Sequence, residues 1–281
     1  MKLDYVIQMV VNNNIVCSVD DKGNEIIVRG KGIGFQKKKG MTVEEKDVEK
    51  IYRMDSQKDT SKLQELLSEI PPEHFETCTE IIEQVENDLN KKLSRRIYIT
   101  LTDHISFAIE RKKQKIEYEN ALLWEIKNFY SREFECGVRA LDIIEKRLGT
   151  RLSEDEAGFI ALHIVNAQLD TKMDSTMEIT RLIAGILSIV RRYYEIELNQ
   201  DSLDYERFLT HLKFFGQRLY KNKSAKKEDP VFHDMIKERY FTDYHCAEVI
   251  RDYIQDTFHH EVSADEMVFL TVHLRRISCA E

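Results

Sequence analysis

The sequence predicts a multidomain α and β protein: a small N-terminal antiparallel β-sheet domain over residues 1–56, then two duplicated all-α helical-bundle domains over 61–170 and 171–281. Three observations lead there. Five of the ten glycines crowd between Gly23 and Gly40, in a segment of short apolar runs and turn-formers. Beyond it the apolar spacing changes to the i, i+3, i+4, i+7 stripe of amphipathic helices and keeps that period to the end. The helical part also matches itself at an offset of 107 to 110 residues, too long for a solenoid of short repeats and right for a duplicated domain.

The strands follow from the first observation. Apolar runs at Val6–Val11, Ile15–Val19 and Ile26–Val28 are parted by Asn12-Asn13-Asn14 and by Asp20-Asp21-Lys22-Gly23-Asn24, residues that favour turns. Further short strands at Ile33–Gln36 and Val48–Tyr52 complete a sheet of four or five strands. A domain under about 60 residues has a thin core. One face of the sheet therefore needs a partner, and a homodimer is expected. The polar stretch Asp55–Thr60 reads as a linker.

In the helical part, Ile81, Ile82, Val85 and Leu89 form one apolar stripe, and Leu122, Leu123, Ile126 and Tyr130 another; each alone signifies only core. The duplication says more. Leu101-Thr102-Asp103-His104-Ile105-Ser106-Phe107 aligns with Phe208-Leu209-Thr210-His211-Leu212-Lys213-Phe214, with Arg111 on Arg218. Ser153-Glu154-Asp155-Glu156-Ala157-Gly158-Phe159 and His163 align with Ser263-Ala264-Asp265-Glu266-Met267-Val268-Phe269 and His273, and Tyr130 and Cys136 with Tyr240 and Cys246. The extra residues of the second copy fit the polar loop Lys221 to Pro230. Both Ser-x-x-Glu segments read as capping boxes, the serine accepting from a first-turn N–H and the glutamate reaching back.

Composition bounds the rest. Of 281 residues 42% are hydrophobic and 33% charged, which suits a chain that builds a core in water and not a disordered one. The strongest apolar run, Leu182–Val190, is far shorter than the roughly 20 residues of a membrane helix, and the first residues lack the apolar core of a signal peptide. No membrane insertion is expected. The five cysteines show no C-x-x-C spacing and read as reduced thiols, which points to a cytoplasmic protein.

Charge is unevenly placed. Overall it is −8, but residues 1–54 hold 10 Lys+Arg against 8 Asp+Glu, and between Lys22 and Lys39 six cations face Glu25 alone. A basic surface on an acidic chain suggests a polyanion site confined to the small domain. Gly30-Lys31-Gly32-Ile33-Gly34 is not a dinucleotide loop, because Phe35-Gln36-Lys37-Lys38-Lys39-Gly40 follows it where a helix would be required. A nucleic-acid surface uses these residues better. The glycines permit close backbone approach, Phe35 offers a stacking face, Asn14 and Gln36 present donor and acceptor, and Lys31 with Lys37–Lys39 can meet phosphates. Single-stranded or distorted RNA suits a stacking aromatic better than intact DNA. Spacing alone serves a solvated lysine loop equally well.

His104, His163, His211 and His273 are matched between the copies, whereas the other five histidines are not. Singly each reads as a packing histidine. Together they are compatible with a metal site, although no i, i+4 His pair or H-E-x-x-H occurs. They are also compatible with reversible phosphoryl transfer to imidazole, with Asp103 placed to orient His104. A phosphoryl group brings roughly −1.5 to −2 charges, enough to repel an acid or recruit an arginine such as Arg111 or Arg218.

Taken in order, Asn12-Asn13-Asn14, Gly30-Lys31-Gly32-Ile33-Gly34-Phe35-Gln36-Lys37-Lys38, Leu101-Thr102-Asp103-His104, Ala161-Leu162-His163-Ile164-Val165-Asn166-Ala167 and Leu209-Thr210-His211-Leu212-Lys213-Phe214-Phe215 resemble the BglG-type transcriptional antiterminators over essentially the whole chain. The resemblance implies a co-antiterminator RNA-binding sheet that dimerises, followed by two regulation domains answering to the sugar phosphotransferase system. It implies that Asn12, Asn13, Asn14, Gly30, Lys31, Gly32, Phe35, Gln36 and Lys37 meet an antiterminator RNA hairpin, and that His104, His163, His211 and His273 are phosphorylated. Partners implied are HPr, acting on the second copy in an activating step, and a sugar-specific permease, acting on the first in an inhibitory one. The bound hairpin would keep an overlapping terminator from forming ahead of a sugar-utilisation operon, such as one for beta-glucosides. No cofactor and no catalytic turnover are implied. Lys31 stands where the family often has arginine, and Met9 where a basic residue is common; lysine lacks the planar fork of arginine. Two other readings remain: a DNA-binding activator with the same regulation domains, which would require a helix-turn-helix, and a histidine-based metal or phosphotransfer enzyme.

Overall fold

A computed structural model describes residues 4–169, 171, 173–221 and 230–279. Residues 222–229, to which the longer second repeat is assigned, lie outside the described residues.

The chain forms two compact units, the first running to Leu123 and again from Tyr130 to Leu169, the second made of Trp124–Phe129 and the described residues from Thr171 onward. In the first unit, β1 (Tyr5–Val6) pairs with β5 (Thr42–Val43), and β2 (Met9–Asn12), β3 (Ile15–Val19), β4 (Glu25–Arg29) and β6 (Lys50–Tyr52) form an antiparallel sheet in the order β2-β3-β4-β6. Register on β3 sets its two faces: Val16 lies opposite Val28 and Cys17 opposite Ile27, so alternate side chains enter different cores. Val16, Ile26 and Val28 pack with Tyr5, Ile7, Ile33 and Val43. Ile15, Cys17, Ile27 and Tyr52 pack with Leu63, Leu67 and Phe75 from the helices that follow.

Three expectations need correction. The run Val6–Val11 is two strands, because Ile7 leaves the sheet to exchange backbone hydrogen bonds with Gly40 and Met41. Ile33–Gln36 is no strand but a succession of turns, since Gly32 (φ 70°) and Gln36 (φ 55°) hold left-handed backbone that a strand cannot contain. The last strand starts at Lys50, after a 3-10 turn at Glu45–Asp47.

Asp55–Thr60 is likewise not a free linker. Ser56 accepts from the Asp59 N–H and donates to its carboxylate, starting helix α1 (Gln57–Glu69). Asp59 is buried and paired with Arg96 at 3.1 Å. The sheet thus runs directly onto α1, and the chain continues through α2 (Pro72–Leu89), α3 (Ile97–Lys113), α4 (Leu123–Phe129), α5 (Ser131–Leu148) and α6 (Glu154–Leu169), of which α4 falls almost wholly in the second unit. Tyr52 stands edge-on to Phe75 and Tyr98 (centroids 5.1 and 5.3 Å), its hydroxyl meets Thr79 Oγ1, and Lys50 pairs with Glu83. The sheet face for which a second copy was expected is covered by the chain's own helices. The stripe from Leu122 to Tyr130 is also cut, because α4 ends at Phe129 and Tyr130 caps α5.

The second unit repeats the plan with α7 (Met173–Tyr194), α8 (Leu203–Tyr220), α9 (Pro230–Arg239), α10 (Phe241–Phe258) and α11 (Ala264–Ser278). Equivalent caps serve equivalent helices: Tyr130 and Tyr240 precede α5 and α10, and Gly149 and His259 close them in left-handed backbone. Among the described residues the first 54 contain strands and one short 3-10 turn, with no helix-turn-helix, and no helix is long and apolar enough to cross a membrane.

Phe75 is fully buried between sheet and helices. Replacing it with alanine should cost about 3–5 kcal/mol through lost transfer and the cavity left behind. Urea unfolding of Phe75→Ala against wild type measures this, and an unchanged midpoint would mean that the sheet is not seated on Phe75.

Candidate RNA interface and histidine pairs

At one end of the sheet two loops are laced together. The Asn12–Asn14 turn between β2 and β3 faces the Gly30–Gly40 segment after β4. Gly30 N–H donates to Asn14 O, Gly34 N–H to Asn13 O and Gly32 N–H to the Asn14 side-chain Oδ1, all at about 3 Å. Asn14 N–H donates in turn to Asn12 Oδ1 at 2.9 Å. The approach demands glycine: a Cβ on Gly34 would lie 2.2 Å from Asn12 O, and one on Gly30 2.0 Å from Asp47 O. Ile33, buried in the sheet core, pins the loop from beneath.

Lacing the loops turns their polar ends outward. Lys31, Gln36, Lys38 and Lys39 are exposed, and Phe35 is 58% exposed, an unusual position for a large aromatic on a small domain. The structure brings Asn12, Asn13, Asn14, Gly30, Lys31, Gly32, Phe35 and Gln36 to this one edge. Two candidate side chains also brace the loops. Asn14 Oδ1 accepts from the Gly32 N–H. Lys37 donates to Thr42 O at 2.8 Å and holds the β5 end of the loop.

The histidines form two pairs, one in each unit. Packing of α3 on α6 brings His104 and His163 to a centroid distance of 4.9 Å, and packing of α8 on α11 brings His211 and His273 to 4.7 Å. Aromatic rings flank both: Phe159 beside His104, and Phe215 and Phe269 beside His211.

Each pair also holds a carboxylate and an arginine. Glu156 is buried with Oε2 2.9 Å from His104 Nε2, out of line for a hydrogen bond, while Oε1 accepts from Arg111 Nη2 at 2.9 Å. Arg111 lies over the rings of Phe107 and Tyr118, at 5.0 and 4.6 Å. In the second pair Arg218 grips Glu266 with two bonds of 2.6 and 2.9 Å, and Glu266 Oε2 stands 3.9 Å from His211 Nε2. His211, His273, Arg207, Arg218 and Thr210 line an open pocket of about 460 Å³.

These acids correct the sequence reading. Asp103 is exposed, because adjacent helical residues diverge by about 100°, and Glu156 is the carboxylate at His104. Nor do the two glutamate side chains reach back to their caps: Ser263 accepts from the Glu266 N–H at 3.3 Å, but both carboxylates are taken by arginine. A signal was present, since Glu156 and Glu266 precede His163 and His273 by seven residues, two turns along the same helix face.

Burial lowers three of the rings, His163, His211 and His273. It pushes His163 well below the ordinary imidazole value, helped by His104. Burial, His273 and Arg218 take His211 down to about 3, and burial with Arg276 lowers His273. A neutral imidazole retains the lone pair that a nucleophile requires. The carboxylates could be thought of as metal ligands, but no group of three metal-ligating side chains occurs among the described residues.

Both parts of the chain are similar to known proteins. A model of the CAT RNA binding domain matches residues 5–61, and a model of the PRD domain matches residues 79–167 and 184–277. The transcription antiterminator LicT of Bacillus subtilis (strain 168) is 44% identical over 271 residues, spanning 96% of this chain and 98% of its own. The beta-glucoside operon antiterminator of Dickeya chrysanthemi is 45% identical over 271 residues, spanning 96% of each. The crystal structure of GlcT CAT-PRDI superposes with a TM-score of 0.53 at 33% identity, covering 59% of this chain and 98% of that one.

The lowered histidines fix a pH dependence. The folded chain binds fewer protons at these rings than the unfolded chain between the lowered values and 6.5, so stability rises with pH in that window. The contribution is fully present above 6.5 and is lost as pH falls toward about 3. Denaturant midpoints should drop between about pH 7.5 and pH 5, and His163→Gln should flatten the drop; a midpoint insensitive to pH in both proteins would contradict neutral burial.

Proposed function

This chain belongs to the family of transcription antiterminators that join a CAT RNA-binding domain to PRD domains, and from that premise we propose that it binds an antiterminator RNA hairpin through the laced loops of its sheet. Occupancy of the hairpin keeps an overlapping terminator from forming, and transcription of a beta-glucoside or related sugar operon continues. The observation that carries the reading is Phe35, exposed on a glycine loop whose backbone is tied to the asparagine turn and whose free side chains are Lys31, Gln36, Lys38 and Lys39. An exposed ring invites an unstacked base, and the lysines answer phosphates on either side of it. Asn12 and Asn14 hold the platform, Gly30 and Gly34 let its backbone pack closely, and exposed Gly32 lets the nucleic acid approach.

Regulation runs through the four histidines. HPr phosphorylates the His211–His273 pair in the activating step, and a sugar permease of the phosphotransferase system phosphorylates the His104–His163 pair in the inhibitory one. His163 and His211, whose imidazoles burial holds neutral, each sit in a pair with an arginine at hand, which suits reversible phosphoryl acceptance. Each added phosphoryl group shifts the population between arrangements that do and do not present two RNA-binding sheets together, so the active form is a homodimer in the cytoplasm. Exposed rings at Phe107, Phe214 and Phe269, next to the histidines, support an association surface there.

Gel-shift titration of the cognate hairpin tests the interface. Phe35→Ala should weaken binding on the order of tenfold to a hundredfold, the worth of one stacked base. Lys31→Ala should weaken it less and lower the salt slope by about one phosphate contact. Full affinity in both variants would remove RNA from this edge of the sheet. In the same assay, His→Asp changes at His211 and His273 should strengthen hairpin binding and dimer formation, and those at His104 and His163 should oppose them.

A further inference from the structure

The two histidine pairs are alike in composition but differ in where the carboxylate sits. In the first pair Glu156 Oε2 lies 2.9 Å from His104 Nε2, and neither atom has a hydrogen-bond partner. The arginine that balances Glu156 makes one hydrogen bond to it, lies over Phe107 and Tyr118, and has a side chain only 11% exposed. In the second pair two bonds from Arg218 draw Glu266 back to 3.9 Å from His211 Nε2. Arg218 is 40% exposed and borders, with Arg207 and Thr210, the open pocket before both rings.

This difference has a direct chemical consequence. A phosphoryl group on His104 Nε2 would carry its oxygens onto the buried Glu156 carboxylate, like charge against like charge in a medium that screens poorly. Arg111, stacked between two rings, has little freedom to exchange one anion for the other. On His211, whose Nε2 is buried like that of His104, the same group would meet a carboxylate already withdrawn and an arginine with a solvent-facing side, beside a pocket that Glu206 also lines. We propose that Glu156 is a gating residue which slows phosphoryl acceptance at the first pair, while Arg218 holds the second pair open, so that the protein itself sets an order of occupancy, second pair before first. This rests on the reading that the four histidines accept phosphoryl groups, and adds that the order is intrinsic to the chain and does not require a choice between donor proteins.

Phosphoramidate, a small donor indifferent to docking surfaces, isolates the effect. The imidazole lone pair forms the N–P bond, the P–N bond of the donor breaks, and ammonia leaves with that electron pair and takes up the proton released from the other ring nitrogen. The full-length protein is incubated with phosphoramidate, and phosphohistidine at each position is followed over time by mass spectrometry at alkaline pH. His211 and His273 should label on the order of ten times faster than His104 and His163. Glu156→Gln should bring the first pair to within about twofold of the second, with the second unchanged as an internal control. Glu156→Asp, which keeps the charge but draws it back by one methylene, should speed the first pair less than Glu156→Gln does. Should Glu156→Gln fail to fold, as judged by circular dichroism, Arg218→Gln provides the reciprocal test: freeing Glu266 should slow the second pair to the rate of the first.

Equal labelling of the two pairs in wild type, or a faster first pair, overturns the proposed order. Equal acceleration by Glu156→Gln and Glu156→Asp would make Glu156 a packing residue and overturn the gate. If neither phosphoramidate nor phosphorylated HPr labels any of the four rings, phosphoryl acceptance itself fails, and the gate with it.

Discussion

A carboxylate removed from water must be answered by a positive charge, and in each helical copy one arginine answers one glutamate at the edge of a histidine pair. Arg111 with Glu156 and Arg218 with Glu266 join α3 to α6 and α8 to α11, the same helix contacts that bring the rings together. The ion pair and the imidazoles therefore form one electrostatic unit. Any charge added to a ring must be accommodated by the arginine or by displacement of the acid. A side chain that is structurally required thereby becomes sensitive to modification of its neighbour.

The sheet obeys a related constraint. Its loops must bring backbone to backbone at Gly34 and Gly30, and the polar groups so approached are satisfied by Asn13, Asn14 and one another. Because the loop backbone is satisfied internally, Phe35, Lys31, Lys38 and Lys39 are left to outside partners. The other face of the sheet is seated on Phe75 and Tyr98, which couples the RNA-binding platform mechanically to the helices bearing the first histidine pair. The aromatic contact at Tyr52 and the ion pair between Lys50 and Glu83 lie on that path.

Duplication gives one scaffold two histidine pairs that are alike but not identical. Caps, core positions and histidines are repeated, yet a one-ångström difference in where a carboxylate rests, and the stacking of one arginine but not the other, give the two pairs different electrostatic settings. Similar sequence at the motif is compatible with different geometry because the distinguishing residues, Tyr118 among them, lie outside the repeated motif.

Much of this was legible in the chain. Fold class, the repeat, the glycine loop and the equivalence of His104 with His211 and of His163 with His273 are properties of consecutive residues: helical period, turn chemistry and self-similarity need no knowledge of distant neighbours. Ile33–Gln36 was misread because apolar alternation is indifferent to the sign of φ, and Asp55–Thr60 because a polar run also suits a helix start. What only the tertiary structure decided is which groups meet across the fold. Glu156 and Arg111 lie 45 residues apart and Phe75 approaches Tyr52 from another element, and such pairings are set by how helices and sheet pack, a long-range outcome that no local pattern encodes.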